Sequence, residues 1–254
     1  MPDMLNYVNV NTLAPYPERH QPEEGKLERF AARLAWEAMR PFWPRLSYFK
    51  EIVSRVEEAQ RVLRYEPDAR LAELAADRRE DLSRVGLTEN MAAQCFALIR
   101  EAVRRCTGLQ LFPVQLIGGY VLLSGHGAEM STGEGKTLTA TLPAATAALA
   151  GLPVHVVTVN DYLVERDHSL TAPIYRLLGL TSGAVVHDMK PAERRAAYAQ
   201  DITYCNNKEL AFDYLRDRLA MGREVSPSQL RLERLYHENP RAERLVLRGL
   251  SFAI

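Results

Sequence analysis

A glycine-rich segment in the middle of the chain holds the residues with the clearest chemistry. It reads Thr-Gly-Glu-Gly-Lys-Thr over residues 132–137. Gly133 and Gly135 have no side chains, so the backbone N–H groups around them can turn inward about a phosphate. Lys136 can reach phosphate oxygens as a point charge, and the Thr137 hydroxyl is placed to ligate Mg²⁺. The segment therefore predicts a phosphate-binding loop.

The surroundings of the loop decide between this interpretation and an ordinary structural turn. The general pattern G-x-x-x-x-G-K-[ST] is not fully met, because Met130 stands where the first glycine belongs. However, an apolar segment precedes the loop, and a helix-compatible run from Leu142 to Ala150 follows it. A helix starting near Lys136 would add the positive end of its dipole to the site. We therefore favour nucleotide binding.

Short apolar runs alternate with helical stretches from about Leu109 onward. The predicted strands cover Gly127 to Met130, Val154 to Val159, Ala184 to Val186, Asp201 to Tyr204 and Leu250 to Ile254. The predicted helices between them cover Leu138 to Leu149, Leu163 to Leu178 and Ala192 to Ala199. Continuous apolar strands separated by helices indicate an α/β fold with a parallel sheet covered on both faces. Ligands of such sheets bind at the carboxyl ends of the strands, where the glycine-rich loop would lie.

The first hundred residues have a different pattern. Residues 1–24 are rich in Pro and Asn and predict a loose tail, whereas residues 25–106 show helical periodicity. One such helix carries Ile52, Val56 and Leu63 on one face, and another runs from Met91 to Arg105. We divide the chain into an atypical N-terminal extension (1–48), a helical N-terminal region (49–108) and an α/β domain (109–254).

Composition limits the classes of function. At 254 residues and 47% hydrophobic, the chain can bury a sizeable core. Lys plus Arg and Asp plus Glu both number 32, so the whole chain lacks the charge signature of a nucleic-acid-binding protein. Cys95, Cys106 and Cys205 are too scattered for a disulfide framework or a zinc site, and we expect buried free thiols in a reducing cytoplasm. No apolar run reaches transmembrane length.

Several blocks, taken in order, resemble the first nucleotide-binding domain of the SecA family, the ATPase motors of bacterial preprotein translocation. The resemblance covers residues 50–254, and the motifs that carry it are Val114 to Gly119, Ala128 to Met130, Thr132 to Pro143, Val154 to Leu163 with Arg166-Asp167, Asp201 to Tyr204 and Phe212 to Asp217. It implies a superfamily-2 helicase-like P-loop NTPase fold with a three-layer sheet, incomplete within residues 109–254. It also accounts for Met130, the residue expected there in this family.

The resemblance assigns the nucleotide contacts. Gly133, Glu134, Gly135, Lys136 and Thr137 would bind the phosphates of ATP, with Thr137 on Mg²⁺. Gln115 would read the adenine edge, since its amide offers both a donor and an acceptor. Without the family context, a glutamine ahead of a strand would be a solvated side chain. Arg166 matches an arginine near the nucleotide, and a surface helix arginine explains it equally well.

Two further groups of residues allow more than one interpretation. Asp161 follows Asn160 directly after a strand, and we expect it to cap the next helix rather than to couple the motor. Asp213, Arg216 and Asp217 resemble a block of the motor core, but a charge cluster on a helix surface would also explain them.

Two departures from the family pattern bear on activity. Ser131 replaces an expected arginine, so a contact near the loop is missing. Residues Phe252 to Ile254 resemble the lead-in to an acidic Walker B segment whose carboxylates would hold Mg²⁺ and position water. Because neither these carboxylates nor a second motor domain lies within the 254 residues, we assign no catalytic residue and expect no ATP hydrolysis by this chain alone.

The resemblance also implies partners and a location. They are a preprotein and the membrane translocon channel, no nucleic acid, and a cytoplasmic protein peripheral at the inner membrane, with a homodimer left open. Basic residues near Phe30 and Trp36 would suit an anionic lipid surface, although a helix packed on the motor core is favoured. A nucleic-acid helicase and a non-catalytic SecA-like adaptor remain the alternatives from other classes.

Overall fold

The computed structural model describes residues 46–221 and 245–254. The predicted tail over residues 1–24 and the basic segment around Phe30 and Trp36 lie outside the described residues. Among the helices it describes, none is long and apolar enough to cross a membrane.

Helices build the first part of the described chain. Five precede the first strand: α1 (Leu46–Leu63), α2 (Asp68–Val85), α3 (Glu89–Thr107), α4 (Pro113–Leu123) and α5 (Lys136–Leu149). The predicted helix over Met91 to Arg105 is confirmed as α3, which begins where the Thr88 hydroxyl accepts the N–H of Met91 and ends before a left-handed Gly108. Twelve residues of α3 are buried, so this helix lies at the centre of the helical region.

A four-stranded parallel sheet forms the second part. Its strands are β1 (Val154–Thr158), β2 (Ser182–Val185), β3 (Ile202–Asn206) and β4 (Phe252–Ala253), in the order β2-β3-β1-β4. The helices between and after them are α6 (Asp161–Leu177), α7 (Pro191–Tyr198) and α8 (Asn207–Met221). The alternation of strand and helix predicted from sequence is confirmed, although β4 is shorter than the predicted run.

The two faces of the sheet contribute to two cores. Val154, Val156 and Tyr204 face the larger core, which also includes the buried faces of α3, α5 and α6. Val185 and Cys205 face the smaller core, with Tyr198 of α7 and the segment at Val246. Helices therefore cover both faces, which confirms the three-layer α/β fold. The helical region and the sheet share the larger core, so the core does not separate them into two units. The domain boundary at residue 108 therefore remains a prediction.

Helices α4 and α5 cross unusually closely. A Cβ added at Gly119 would lie 2.9 Å from Cβ and 2.7 Å from Cδ1 of Leu142 on α5. At the neighbouring Gly118, an added Cβ would lie 3.3 Å from Sδ of Met130. The two glycines therefore let the backbone of α4 pack directly against α5 and against the residue that leads into the loop.

Two structural expectations were wrong. The predicted strand over Gly127 to Met130 does not form, because Met130 packs on Gly118 of α4 and the segment joins no ladder among the described residues. The apolar run ahead of it is helix α4. Cys95 and Cys205 are buried free thiols whose burial raises their pKa to about 12, but Cys106 is exposed near the end of α3.

His155 is a buried ionisable residue in the centre of the sheet. It lies on β1 between β3 and β4, with its ring 5.9 Å from that of Tyr198. Its Nδ1 atom is buried without a hydrogen-bond partner among the described residues. Burial, reinforced by the charge of Arg248, lowers the pKa of His155 from 6.5 to about 4. The folded protein therefore holds this imidazole neutral.

We predict that substitution of Gly119 by Ala destabilises the protein. Overpacking costs about 1–3 kcal/mol, against about 1 kcal/mol gained from the higher helix propensity of alanine. The matched control is Gly127→Ala, since a Cβ at Gly127 meets nothing within 4 Å and its φ is not positive. Urea unfolding of both variants tests this; an equal or smaller loss for Gly119→Ala would contradict the close crossing.

We also predict a pH dependence of stability that originates at His155. Because its folded pKa lies below the ordinary value of 6.5, the unfolded chain binds the extra proton first, and stability falls as pH drops from 6.5 toward 4. Between pH 7.5 and pH 5 this amounts to about 2 kcal/mol. Over this pH range, the free energy of unfolding of the His155→Leu variant should fall by about 2 kcal/mol less than that of the wild type. Equal slopes for wild type and variant would show that His155 titrates normally.

Candidate functional site

The glycine-rich loop passes through left-handed backbone twice before α5 begins. Gly133 has φ of 89°, and Gly135, the N-cap of α5, has φ of 78° and ψ of 40°. Residues with a Cβ rarely adopt these angles, so glycine is required at both positions. The loop is exposed along residues 131–134, and nothing lies within 4 Å of a Cβ built at Gly133. The turns leave the backbone at Gly133 open in front of the helix.

The start of α5 directs its backbone donors toward this loop. The first backbone hydrogen bond of the helix runs from the N–H of Thr139 to the carbonyl of Gly135. The N–H groups of Lys136, Thr137 and Leu138 therefore precede the helical ladder. Lys136 is exposed and forms no ion pair within the part of the chain that the structure describes. An exposed lysine thus stands at the N-terminus of α5, directly after the loop.

Gln115 holds the loop from the side of α4. Its Nε2 donates to the carbonyl of Glu134 at 2.8 Å, and its Oε1 accepts the N–H of Phe112 at 2.8 Å. A Cβ at Gly135 would collide with Nε2 of Gln115, so the contact depends on that glycine. Gln115 is the third residue of α4 and is 6% exposed. The expectation that Gln115 lies ahead of a strand was wrong, and it is not the solvated side chain that it would be without the family context.

Glu134 and Ser131 close the loop on itself. The carboxylate of Glu134 accepts the N–H of Ser131 at 2.8 Å, and the N–H of Glu134 reaches the carbonyl of Ser131 at 3.4 Å. Ser131, which stands in place of the expected arginine, therefore contributes only backbone hydrogen bonds among residues 46–221 and 245–254.

Asp167 joins the loop to α6, and it was not among the site residues predicted from the sequence. Its Oδ1 accepts the Thr137 hydroxyl at 3.4 Å and two hydrogen bonds from Arg166, from Nε at 2.9 Å and from Nη2 at 2.7 Å. Arg166 is half exposed, whereas Asp167 is buried. A usable signal was present, because Asp167 shares the helical spacing of the buried residues Val164 and Thr171.

These residues fit a nucleotide phosphate with Mg²⁺. The open backbone at Gly133 would accept phosphate oxygens that a side chain would exclude. The oxygens of Thr137 and Asp167 are the ligand types that Mg²⁺ favours, directly or through water. All predicted site residues except Arg166 meet around the loop, and Arg166 reaches it through Asp167.

A second polar cluster lies at the carboxyl ends of β1 and β3. Asn160, not Asp161, caps α6, because Asn160 has extended backbone and its Oδ1 accepts the N–H of Leu163 at 2.9 Å. Asp161 is already helical, and its carboxylate accepts the N–H of His187 at 3.0 Å and the amide of Asn206. The expectation that Asp161 caps the helix was therefore wrong, and this residue joins three segments.

The acidic residues of α8 do not form a surface cluster. Asp213 and Asp217 are fully buried. Asp213 pairs with Arg194 at 2.9 Å, accepts the hydroxyl of Tyr198 at 3.0 Å and binds the exposed Arg216 at 2.6 Å. The carboxylate of Asp217 accepts the N–H groups at positions 246 and 247, each at 2.8 Å.

Glu209 connects this buried cluster to the polar cluster at the strand ends. It pairs with Arg194 at 2.6 Å and with His187 at 2.8 Å. Burial opposes its ionisation, but the hydrogen bonds from these two partners keep the pKa of Glu209 below its ordinary value. The backbone N–H of His187 in turn donates to the carboxylate of Asp161. The motifs around residues 160 and 212–217 are thus linked through α7 and the loop before it.

The outer face of α8 is apolar. Phe212 is 61% exposed and Leu219 is 84% exposed, with Leu215 between them. They line a groove of about 480 Å³ together with Met189 and Pro191. Part of the helix therefore departs from the usual pattern, because Asp213 and Asp217 face inward while Phe212, Leu215 and Leu219 face outward.

A parallel sheet with helices on both faces, and a glycine loop that leads into a helix held by an upstream glutamine, define a helicase-like P-loop domain. Comparison with known families identifies the particular one. The family model described as the SecA DEAD-like domain matches residues 38–254. The chain belongs to the SecA family.

Individual relatives agree with this assignment. The protein translocase subunit SecA 2 of Nitrosospira multiformis is 47% identical over 252 residues, which is 96% of this chain and 37% of the relative. The SecA 2 of Bordetella avium is 47% identical over 97% of this chain and 38% of its own length. The SecA of Thermus thermophilus is 47% identical over 193 residues, 76% of this chain and 18% of its own. The chain thus spans under two fifths of these relatives, and none of them supports the nucleic-acid helicase alternative.

We predict that the buried carboxylate of Asp213 is important for stability. Asp213→Ala leaves Arg194 buried with one of its two carboxylates missing, which should cost about 3 kcal/mol. Arg216→Ala removes a half-exposed partner of the same carboxylate and should cost less than about 1 kcal/mol. Chemical denaturation of the two variants measures the difference. Comparable losses would mean that Asp213 belongs to a surface cluster after all.

Proposed function

We propose that the loop over residues 133–137 binds the phosphates of ATP, with Mg²⁺ on the hydroxyl of Thr137. The observation that carries this proposal is the pair of left-handed glycines immediately before α5, with Lys136 exposed beside them. Backbone N–H groups and the helix dipole favour an anion at this position. Lys136 adds a positive charge that can follow the terminal phosphates.

The unused hydrogen-bonding groups of the Gln115 side chain support its proposed contact with adenine. A primary amide has two N–H donors and a carbonyl oxygen with two lone pairs. In the structure one donor is used by Glu134 and one lone pair by Phe112. One donor and one acceptor site therefore remain for the N7 and N6 positions of the purine. The same side chain would connect base recognition to the shape of the phosphate loop.

Arg166 is proposed as a further phosphate contact. Its guanidinium is half exposed and already oriented by Asp167, which is bonded to Thr137. A planar fork with five donors can serve a carboxylate and a phosphate oxygen together. The position therefore suits an arginine that approaches a nucleotide on the loop without losing its carboxylate partner.

For the whole protein we propose the motor activity that the relatives' names indicate. It would couple ATP hydrolysis to the movement of preproteins through a membrane translocon, from the cytoplasmic face of the membrane. This chain would provide the phosphate loop and the adenine contact, a proposal supported by the contact between Gln115 and the glycine-rich loop at the start of α5. An anionic lipid surface and a second copy of the protein are further partners that we propose for the whole protein.

Substitution of Lys136 by Ala should abolish ATP binding, because it removes an exposed positive charge at the start of α5, directly after the glycine-rich loop. Titration calorimetry of the 254-residue chain with Mg-ATP provides the measurement. Lys50→Ala on α1 is the matched control, since Lys50 is also exposed and its side chain lies on another helix. Affinity unchanged in Lys136→Ala, or lost equally in both variants, would overturn the assigned site.

A further inference from the structure

One carboxylate oxygen of Asp167 has two functional neighbours. The Thr137 hydroxyl donates to Oδ1 at 3.4 Å, and the guanidinium of Arg166 donates to the same atom twice, at 2.9 and 2.7 Å. Asp167 is 8% exposed, so little water competes for this oxygen. Both partners were predicted to act on the nucleotide, one through the metal ion and the other directly.

The backbone around Asp167 is fixed against the sheet. Its carbonyl accepts the hydroxyl of Thr171 at 2.8 Å, and Thr171 also contacts the hydroxyl of Tyr204 on β3 at 2.9 Å. Tyr204 in turn bonds to the hydroxyl of Tyr175 at 2.9 Å. This chain of hydroxyl groups is buried. The carboxylate is therefore presented to the loop from a rigid position rather than from a mobile surface helix.

We infer that Asp167 is a positioning residue that orients the hydroxyl of Thr137 for Mg²⁺, an inference that rests on the proposed nucleotide site. A hydroxyl has one proton and two lone pairs. If the proton is directed to Asp167, the lone pairs face away from α6 and are available to the metal ion. A carboxylate that accepts this proton also raises the basicity of the ligand oxygen.

The length of the contact agrees with this role. Hydrogen bonds that serve a ligand are commonly long before the ligand binds and shorten in the complex. At 3.4 Å the bond from Thr137 is at the long limit, whereas both bonds from Arg166 are of ordinary length. Asp167 would thus set the direction of the metal ligand, while the two bonds from Arg166 hold the same oxygen in place.

The experiment measures binding of a fluorescent ATP analogue to the 254-residue chain, in Mg²⁺ and in EDTA. Asp167→Ala should lower the affinity in Mg²⁺ about tenfold, while the affinity in EDTA stays within about twofold of wild type. Glu165→Ala is the control, because Glu165 is an exposed acid two residues away on the same helix. A loss of equal size in both media would mean that Asp167 only supports the fold and would overturn the inference.

Two more variants make the test specific. Asp167→Asn keeps an acceptor oxygen and the size of the side chain, so it should recover part of the Mg²⁺-dependent affinity even if the alanine variant folds poorly. Thr137→Ala combined with Asp167→Ala should lose no more Mg²⁺-dependent affinity than Thr137→Ala alone. Additive losses would show that the two residues act independently and would contradict the inference.

Failure of the inference can be separated from failure of the proposed function. If Lys136→Ala binds the analogue as wild type does, the nucleotide site is wrong and the role of Asp167 fails with it. If Lys136→Ala loses binding but Asp167→Ala keeps the full enhancement by Mg²⁺, only the role of Asp167 is wrong.

Discussion

The close crossing of α4 and α5 at Gly119 is the constraint on which the site depends. Because Gly119 has no Cβ, the backbone of α4 lies directly on Leu142, and this brings the first turn of α4 beside the glycine-rich loop. Gln115 can then reach the carbonyl of Glu134 at 2.8 Å. A side chain on either glycine of this contact, Gly119 or Gly135, would separate the two segments. The glycine-rich loop is thus shaped by helix packing as much as by its own sequence.

Buried polar contacts connect the rest of the domain to that loop. Asp167 ties the start of α5 to α6, and α6 begins at the strand end where Asp161 meets His187 and Asn206. From there Glu209 and Arg194 continue the network into α8. Buried carboxylates are costly unless they are paired, so each position of this network depends on its partners. The two motifs at residues 160 and 212–217 are therefore parts of one arrangement.

The sequence predicted the α/β order, the parallel sheet and the loop, because apolar runs and helical periodicity record burial directly. The predictions from sequence failed where the burial of a residue depends on contacts with distant parts of the chain. Along α8, the acidic residues and the apolar residues follow equally good helical spacings, so the pattern does not say which face is buried. The inward position of Asp213 depends on its neighbours Arg194 and Tyr198, which both donate hydrogen bonds to its carboxylate. The same applies to Gly127 to Met130, which looked like a strand because the contact between Gly118 and Met130 is not visible locally. Asp167 could have been found as an acid at a core-facing position of α6.

The central claim is that the loop of residues 133–137, held by Gln115, is the phosphate site of this chain. Amide NMR spectra recorded during addition of Mg-ATP test it most directly, since Gly133, Gly135 and the side-chain amide of Gln115 each give separate signals. We predict that these three signals and the amide of Lys136 shift together with one saturation curve. Saturable shifts confined to other segments, such as the apolar groove on α8, with the loop signals unmoved, would contradict it.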